Sequence, residues 1–308
     1  LFNLGKLKKK KDSLLGRIYR LLVFKRYLKN HDFDFIIDHR SKSDFLKEFI
    51  YNKIIYSNTP KIYVVHSYSI ENIFKNKSFA ALFKNNFATV VVSNHIEEIL
   101  NRNDIKNTYT IQNAFKPNIQ MENNVEFNEL QTKRYLLSYG RIVDEVKDYK
   151  FLIRSFSISK VWNRDVFLVI LGDGKDKETL KDYAKQFEGF SHILFYPFVK
   201  NPFTYVKNSL CVCLTSYYEG FPMVLLESLS LEIPVISLNI KSGPSEIIKN
   251  GYNGLLVDER DEKQFAEAIC KIIDDEKLYK YLKQNTQDSV NQFSMKEIEK
   301  KWNKLLSS

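Results

Sequence analysis

"EGFPMVLLE", Glu219 to Glu227, places two carboxylates around a Gly-Phe-Pro turn and a short apolar run. The strand-like "LCVCLTS" precedes it and ends at Ser216. Gly220 permits a sharp path out of that strand, and Pro222 suits the first position of a helix, where its missing N–H costs nothing. The free amides of such a helix start, together with the helix dipole, form an anion site. Glu219 falls just before the expected helix 222–231, and Glu227 just over one turn into it. Both can look into one cleft, one on each side of an anion. A carboxylate beside an anion makes sense when its own partners are hydroxyl donors. The stretch therefore fits a ligand with hydroxyls on both sides of a phosphate bridge. A nucleotide sugar has that layout: ribose, diphosphate, sugar.

Outward from this stretch, short β-branched apolar runs alternate with helical ones, the pattern of parallel α/β layers. Strands are expected at "FDFIIDH", "KIYVVHS", "ATVVVSN" and "TYTIQN", then, beyond the polar segment "KPNIQMENNVEFNELQTK", at "RYLLSYG", "VFLVILGDG", "HILFYPF", "LCVCLTS", "IPVISLN" and "NGLLVD". Helices fit at 148–160, 176–187, 222–231 and 261–274. Two doubly wound Rossmann-like domains follow, with ligands expected at the carboxyl ends of the strands. The boundaries read as 1–128 and 129–292, with a final helix, 293–308, crossing back onto the first domain.

The chain has 308 residues and a net charge of +10, of which residues 1–30 carry most: ten Lys or Arg against one Asp. Leu14, Leu15, Ile18, Leu21, Leu22 and Phe24 recur among these cations at near-helical spacing. Two readings stay open. One is an amphipathic helix on an anionic membrane surface; the other is a solvated helix packed on its own domain. Nucleic acid is not expected, because no reader motif or aromatic-basic interleaving follows. The three cysteines lack a zinc spacing and fit a reducing compartment; Cys211 and Cys213 read as packing residues on one strand face. With no membrane-length apolar run and no signal-peptide pattern, the expected location is the cytoplasm, or the inner face of its membrane.

"YGRIVDEVKDYK" places Arg141 and Lys147 in a loop after a strand, where two cations suit a diphosphate. "LGDG" (Leu171 to Gly174) ends another strand with two glycines, and "IPVISLNIKSGPSEIIKNGYNGLLV" adds one more strand-turn-helix unit. In this order and spacing, from about Arg134 to Val257, these stretches resemble family 4 glycosyltransferases of GT-B fold, and "EGFPMVLLES" looks like enzymes that build bacterial surface polysaccharides. The matching residues are Gly140-Arg141 with Lys147, Gly172-Asp173-Gly174, Ser216 with Glu219-Gly220-Phe221 and Glu227, Gly243 to Glu246, and Gly254 to Val257.

The resemblance implies roles. Arg141 and Lys147 would hold the donor diphosphate, Glu219 would sit at the transferred sugar, and Glu227 would bind the ribose. Backbone around Gly140, Gly172, Gly174 and Gly220, and the amides of Phe221, Pro222 (carbonyl only), Met223 and Val224, would line the donor, with Val199 at the base. His66, after "KIYVV", would neighbour the sugar. The implied reaction retains anomeric configuration and needs no metal or cofactor. It moves a hexose or N-acetylhexosamine from a nucleotide-diphosphate sugar to a glycan or lipid-linked acceptor. The family also opens with a strand and a Gly-rich loop that this sequence does not display, so its first domain is expected to be incomplete at the N-terminus, and a non-catalytic nucleotide-sugar-binding protein or fragment stays open as an alternative. A GT-B nucleotide-sugar epimerase is a weaker rival, since it should carry acid/base groups on several loops.

Overall fold

The computed structural model describes residues 13–40, 44–56, 58–66, 77–115 and 129–308. The Lys8–Lys11 run and residues 116–128 of the expected linker lie outside the described residues. Two compact units change over between Thr110 and Ile111.

In the first unit, strands β1 (Ile36–Asp38), β2 (Lys61–Val65), β3 (Ala88–Val91) and β4 (Thr108–Thr110) pair in chain order, all parallel. Helix α1 (Leu14–Lys29) precedes β1, and α2 (Phe45–Ile50), α3 (Lys77–Lys84) and α4 (Asn94–Arg102) lie between the strands in sequence. β3 is buried along its whole length, as a strand covered on both faces must be. Ser93 ends this strand segment and caps α4, its hydroxyl accepting from the Ile96 amide at 3.4 Å. Under the end of β1 sits a buried charge cluster. Arg40 Nη2 lies 2.6 Å from Asp38 Oδ2 and 3.2 Å from Glu48 Oε2, and both carboxylates are sealed from solvent. The guanidinium stacks 3.5 Å from the Tyr51 ring centre, and the Tyr56 hydroxyl donates to Asp38 at 2.9 Å.

α1 divides the two readings of the basic end between its faces. Leu21, Phe24 and Leu28 are half-buried, on the i, i+3, i+7 stripe that faces the protein. Leu15, Ile18 and Leu22 form a second such stripe, 78%, 46% and 59% exposed. Ser13 caps the helix, accepting from the Gly16 amide at 3.2 Å.

The second unit holds six parallel strands: β5 (Arg134–Tyr139), β6 (Val166–Leu171), β7 (Ile193–Tyr196), β8 (Cys211–Leu214), β9 (Val235–Leu238) and β10 (Gly254–Val257). Their order across the sheet is β10-β9-β8-β5-β6-β7. The chain therefore winds one way from β5 to β7, returns to the other side of β5, and winds onward to β10. That is the doubly wound order, and its reversal falls between β5 and β8, where Leu136 pairs with Cys211 and Leu137 with Val212. The connecting helices are α5 (Asp144–Lys147), α6 (Tyr149–Ser159), α7 (Lys177–Ala184), α8 (Phe203–Lys207), α9 (Met223–Ser230), α10 (Pro244–Ile247) and α11 (Glu262–Asp274), followed by α12 (Glu276–Gln284), α13 (Thr286–Val290) and α14 (Met295–Leu306). Phe151 and Phe156 of α6 and Phe265 and Ile269 of α11 pack into one core with Leu136, Leu168 and Ile236. Cys211 and Cys213 share a buried face of β8, their sulfurs 4.0 Å apart. α14 and the segment leading to it are tied to residues 112–115: the Phe115 amide donates to the Phe293 carbonyl at 2.8 Å, and Lys301 Nζ to Gln112 at 2.6 Å.

The buried cluster predicts a local weakness. Arg40→Met leaves two buried carboxylates without their guanidinium and should cost the first unit about 3 kcal/mol. Hydrogen exchange should rise in β1 and β2 and stay unchanged in β5 and β6; unchanged protection throughout would mean the ion cluster is dispensable.

Candidate functional site

The reversal in strand order opens a crevice, because the connections leaving β5 and β8 diverge to opposite faces of the sheet. Two loops meet at the β5 side. Gly140 follows β5 at φ +136°, its amide donating to the Leu171 carbonyl at 3.0 Å. Gly172 follows β6 at φ +149°, and a methyl group added there would run into the Gly140 carbonyl oxygen. One added at Gly174 would strike the Ile142 carbonyl. These glycines thus let the β5 and β6 loops touch backbone to backbone. The Asp173 carboxylate continues the stitching, accepting from the Phe198 amide at 2.9 Å and from Lys177 Nζ at 2.8 Å. Val199, half-buried, follows on this pinned loop after β7.

Across the reversal, β8 leads into the 216–222 turn. Gly220 does not adopt positive φ, so its expected conformational role is not used here. The turn is held from outside. Ser242 Oγ donates to the Gly220 carbonyl at 3.0 Å. Gly243, at φ +97°, lies so close to the Pro222 ring that a methyl group there would strike it. Phe221 is buried, its ring 5.4 Å from Phe293, so its side chain anchors the turn. Pro222 is the N-cap residue and Met223 opens α9. No side chain caps this helix start among the described residues, which leaves its first amides, Met223 and Val224, without a side-chain acceptor.

The structure brings Lys147 and Glu219 together. Lys147 Nζ lies 2.7 Å from Glu219 Oε1, both side chains less than one-fifth exposed. Ser216 Oγ donates to the same oxygen at 2.6 Å. Arg141 stands apart: it is exposed and makes no side-chain hydrogen bond or ion pair among the described residues. Glu227, on α9, is held by Tyr139, whose hydroxyl donates to Glu227 Oε2 at 2.6 Å and lies 3.2 Å from the Val224 carbonyl. Burial raises the Glu227 carboxyl above the ordinary glutamate range, and the Tyr139 hydrogen bond only partly opposes it. Burial and the facing carboxylate push the Tyr139 phenol well up, so it stays a donor.

His66 directly follows β2 in the other unit. Its Nε2 lies 3.0 Å from Nδ1 of His39, with the rings stacked 5.3 Å apart. Such a bond needs one N–H and one bare ring nitrogen. Sequence reasoning passed over His39, Tyr139, Asp148 and Arg260. Arg260 could have been found by the rule that found Arg141 and Lys147, since it is a cation three residues past the carboxyl end of a strand.

Comparison with known proteins places this geometry. The profile of the glycosyl transferases group 1 family matches residues 120–289. An uncharacterized glycosyltransferase of Methanocaldococcus jannaschii is 27% identical over 290 residues, 84% of this chain and 68% of that protein. The N-acetylgalactosamine-N,N'-diacetylbacillosaminyl-diphospho-undecaprenol 4-alpha-N-acetylgalactosaminyltransferase of Campylobacter jejuni is 31% identical over 165 residues, 54% of this chain and 44% of that protein. The chain spans about half the length of several curated relatives it matches. The crystal structure of Anabaena HepE in complex with UDP-glucose superposes with a TM-score of 0.80 at 17% identity, covering 96% of this chain and 85% of that one. The two parallel sheets are those of the GT-B fold. With more than half of its length inside the family profile, this chain belongs to the group 1 glycosyl transferases.

Proposed function

We propose that this chain is a retaining glycosyltransferase that moves a hexose or N-acetylhexosamine from a UDP-sugar to a glycan or lipid-linked acceptor in polysaccharide biosynthesis. The carrying observation is the Lys147–Glu219 contact, 2.7 Å, beside an uncapped helix start at the strand-order reversal. A cation and a carboxylate in contact there fit the junction between a diphosphate and a sugar. The UDP-glucose bound in the HepE structure supports the donor class, and the diphospho-undecaprenol in the name of the Campylobacter relative supports a lipid-linked acceptor.

In this reading the ribose hydroxyls donate to Glu227, and Tyr139 keeps that carboxylate oriented. The diphosphate lies between Lys147 and the amides of Met223 and Val224, with Arg141 free to close on it from solvent. Diphosphate carries more charge than a carboxylate, so it competes for the Lys147 ammonium and leaves Glu219 to accept sugar hydroxyls. As the glycosidic bond lengthens, the sugar becomes oxocarbenium-like and the leaving diphosphate gathers negative charge. Lys147, Arg141 and the helix start stabilise that charge where it develops. The acceptor hydroxyl loses its proton to the departing phosphate on the same face, which retains configuration.

The division of labour is testable by alanine substitution. Lys147→Ala should weaken UDP binding by about 1.5–3 kcal/mol, the range for a charge-assisted hydrogen bond. Glu219→Ala should spare UDP affinity and lower turnover. Equal loss of UDP affinity in Glu219→Ala and Glu227→Ala would undo the assignment.

Glu227 makes affinity depend on pH. Its carboxyl is raised, so ionising it costs folding stability; that cost is absent below the unfolded-state titration and complete above the folded one. As a hydroxyl acceptor it works ionised. UDP affinity should hold at neutral pH and fall on acidification earlier than an ordinary glutamate would dictate. Glu227→Gln should bind more weakly at neutral pH, lose the part of the pH dependence not owed to UDP itself, and gain stability at neutral pH. Parallel pH profiles for the two proteins would rule out Glu227 as the titrating acceptor.

The outward stripe of α1 supports docking on an anionic membrane, where a lipid-linked acceptor resides. Leu15, Ile18 and Leu22 are exposed, and Lys25, Arg26 and Lys29 follow on the same face. Each cation near such a surface contributes about 1 kcal/mol, screened by salt. Sedimentation with phosphatidylglycerol vesicles should fall with rising salt and should be lost in a Leu15→Ser, Ile18→Ser, Leu22→Ser variant. Absence of binding at low salt would leave α1 as a solvated helix.

A further inference from the structure

We propose that Arg260 is a positioning residue of the donor site: it clamps the loop after β5 to the loop after β8 and so fixes the spacing between Lys147 and Glu219. The inference rests on the donor-site reading given above. Arg260 lies on a third loop, three residues past β10. Its guanidinium makes three short contacts. Nη1 donates to Asp148 Oδ2 at 2.6 Å and to the Thr215 carbonyl at 2.9 Å, and Nη2 donates to the Ser216 carbonyl at 2.7 Å. The group also lies 4.1 Å from the centre of the Tyr217 ring.

The partners of these bonds give the clamp its meaning. Asp148 directly follows Lys147. It takes left-handed backbone, φ +50°, a conformation Asp tolerates better than most residues. Its two oxygens have separate tasks: Oδ1 caps α6 through the Phe151 amide at 3.2 Å, and Oδ2 receives Arg260. The residue is 4% exposed, so its carboxylate is stable there only with a partner of opposite charge. On the other side, Ser216 donates to Glu219 at 2.6 Å. One planar cation therefore grips the residue beside Lys147 and the residue that orients Glu219.

Three further bonds run in parallel. Thr215 Oγ1 reaches the Lys147 carbonyl at 2.9 Å and the Asp148 carbonyl at 3.1 Å, and the Tyr217 amide donates to the Val146 carbonyl at 2.9 Å. All are neutral contacts between the two loops alone. Arg260 differs because its own backbone is fixed independently, by Asp261 capping α11 through the Lys263 and Gln264 amides at 2.8 and 3.0 Å. It thus references both loops to a helix packed in the core. An ammonium cannot replace it, since Lys lacks the fork that reaches three acceptors at once.

A double-substitution cycle read by calorimetric UDP binding, on protein verified as folded by circular dichroism, tests the clamp. Arg260→Met should lose about tenfold in UDP affinity, the scale expected when a charged contact is displaced by a fraction of an ångström. Lys147→Ala should then cost much less in the Arg260→Met background than in the parent, while Glu227→Ala should cost the same in both. Asp148→Gly keeps the left-handed backbone and removes the carboxylate; it should show the same Lys147 coupling with a smaller loss, and it carries the test if Arg260→Met does not fold. Wild-type affinity in Arg260→Met, or an undiminished cost of Lys147→Ala there and in Asp148→Gly, overturns the clamp. Failure of the parent itself to bind UDP overturns the donor-site reading, and the clamp with it.

Discussion

Everything at the candidate site depends on one constraint of parallel sheets: neighbouring strands whose connections leave toward opposite faces cannot fill the space between them. In the second unit that gap falls between β5 and β8. The loop after β5 carries Arg141 and Lys147, the loop after β8 carries Glu219, and α9 beyond it carries Glu227. Lys147 and Glu219 are 72 positions apart in sequence yet 2.7 Å apart in space. Neither helix propensity nor local pattern brings them together; the winding order does.

The fold was legible because its signals are local and repeated. All ten expected strand stretches contain a strand, and the four expected helices differ from the observed ones by a few residues at their ends. β-branched apolar runs bounded by polar turns leave little choice. The cations at strand ends and the paired glutamates were legible for the same reason, since each sits at a recognisable place in a strand-turn-helix unit. What could not be read was pairing. The place of Lys147 after a strand points it at a phosphate, and nothing local shows that Glu219 already holds it. Gly220 looks like the residue that turns the chain, whereas at the site the positive φ belongs to Gly140, Gly172 and Gly243. Asp148 was hidden by the generic look of "VKDYK", because only a backbone angle marks it as special. Tyr139 read as one more apolar strand residue until its hydroxyl proved to face Glu227.

The two acidic residues quoted at the outset differ in setting, and the difference is physical. Glu219 has two donors on one oxygen, a hydroxyl and an ammonium, in a half-buried place. Glu227 has one neutral donor, and burial raises its carboxyl, so its charge is held at a cost. A carboxylate under that tension gains most when further hydroxyls arrive to solvate it. The same α9 thus begins with unsatisfied donors and, one turn later, presents an under-solvated acceptor, a polarity that matches a phosphate followed by a sugar ring.

The backbone contact between the β5 and β6 loops has an evolutionary corollary. Where a single methyl group at Gly172 or Gly174 would collide with a neighbouring carbonyl, substitution at those positions is closed to stepwise drift. The exposed aromatics nearby, Tyr218 and Phe198, carry no such restriction. Diversification of this scaffold is therefore channelled: the backbone contact between the β5 and β6 loops is held by sterics, and the exposed side chains around its rim are open to change.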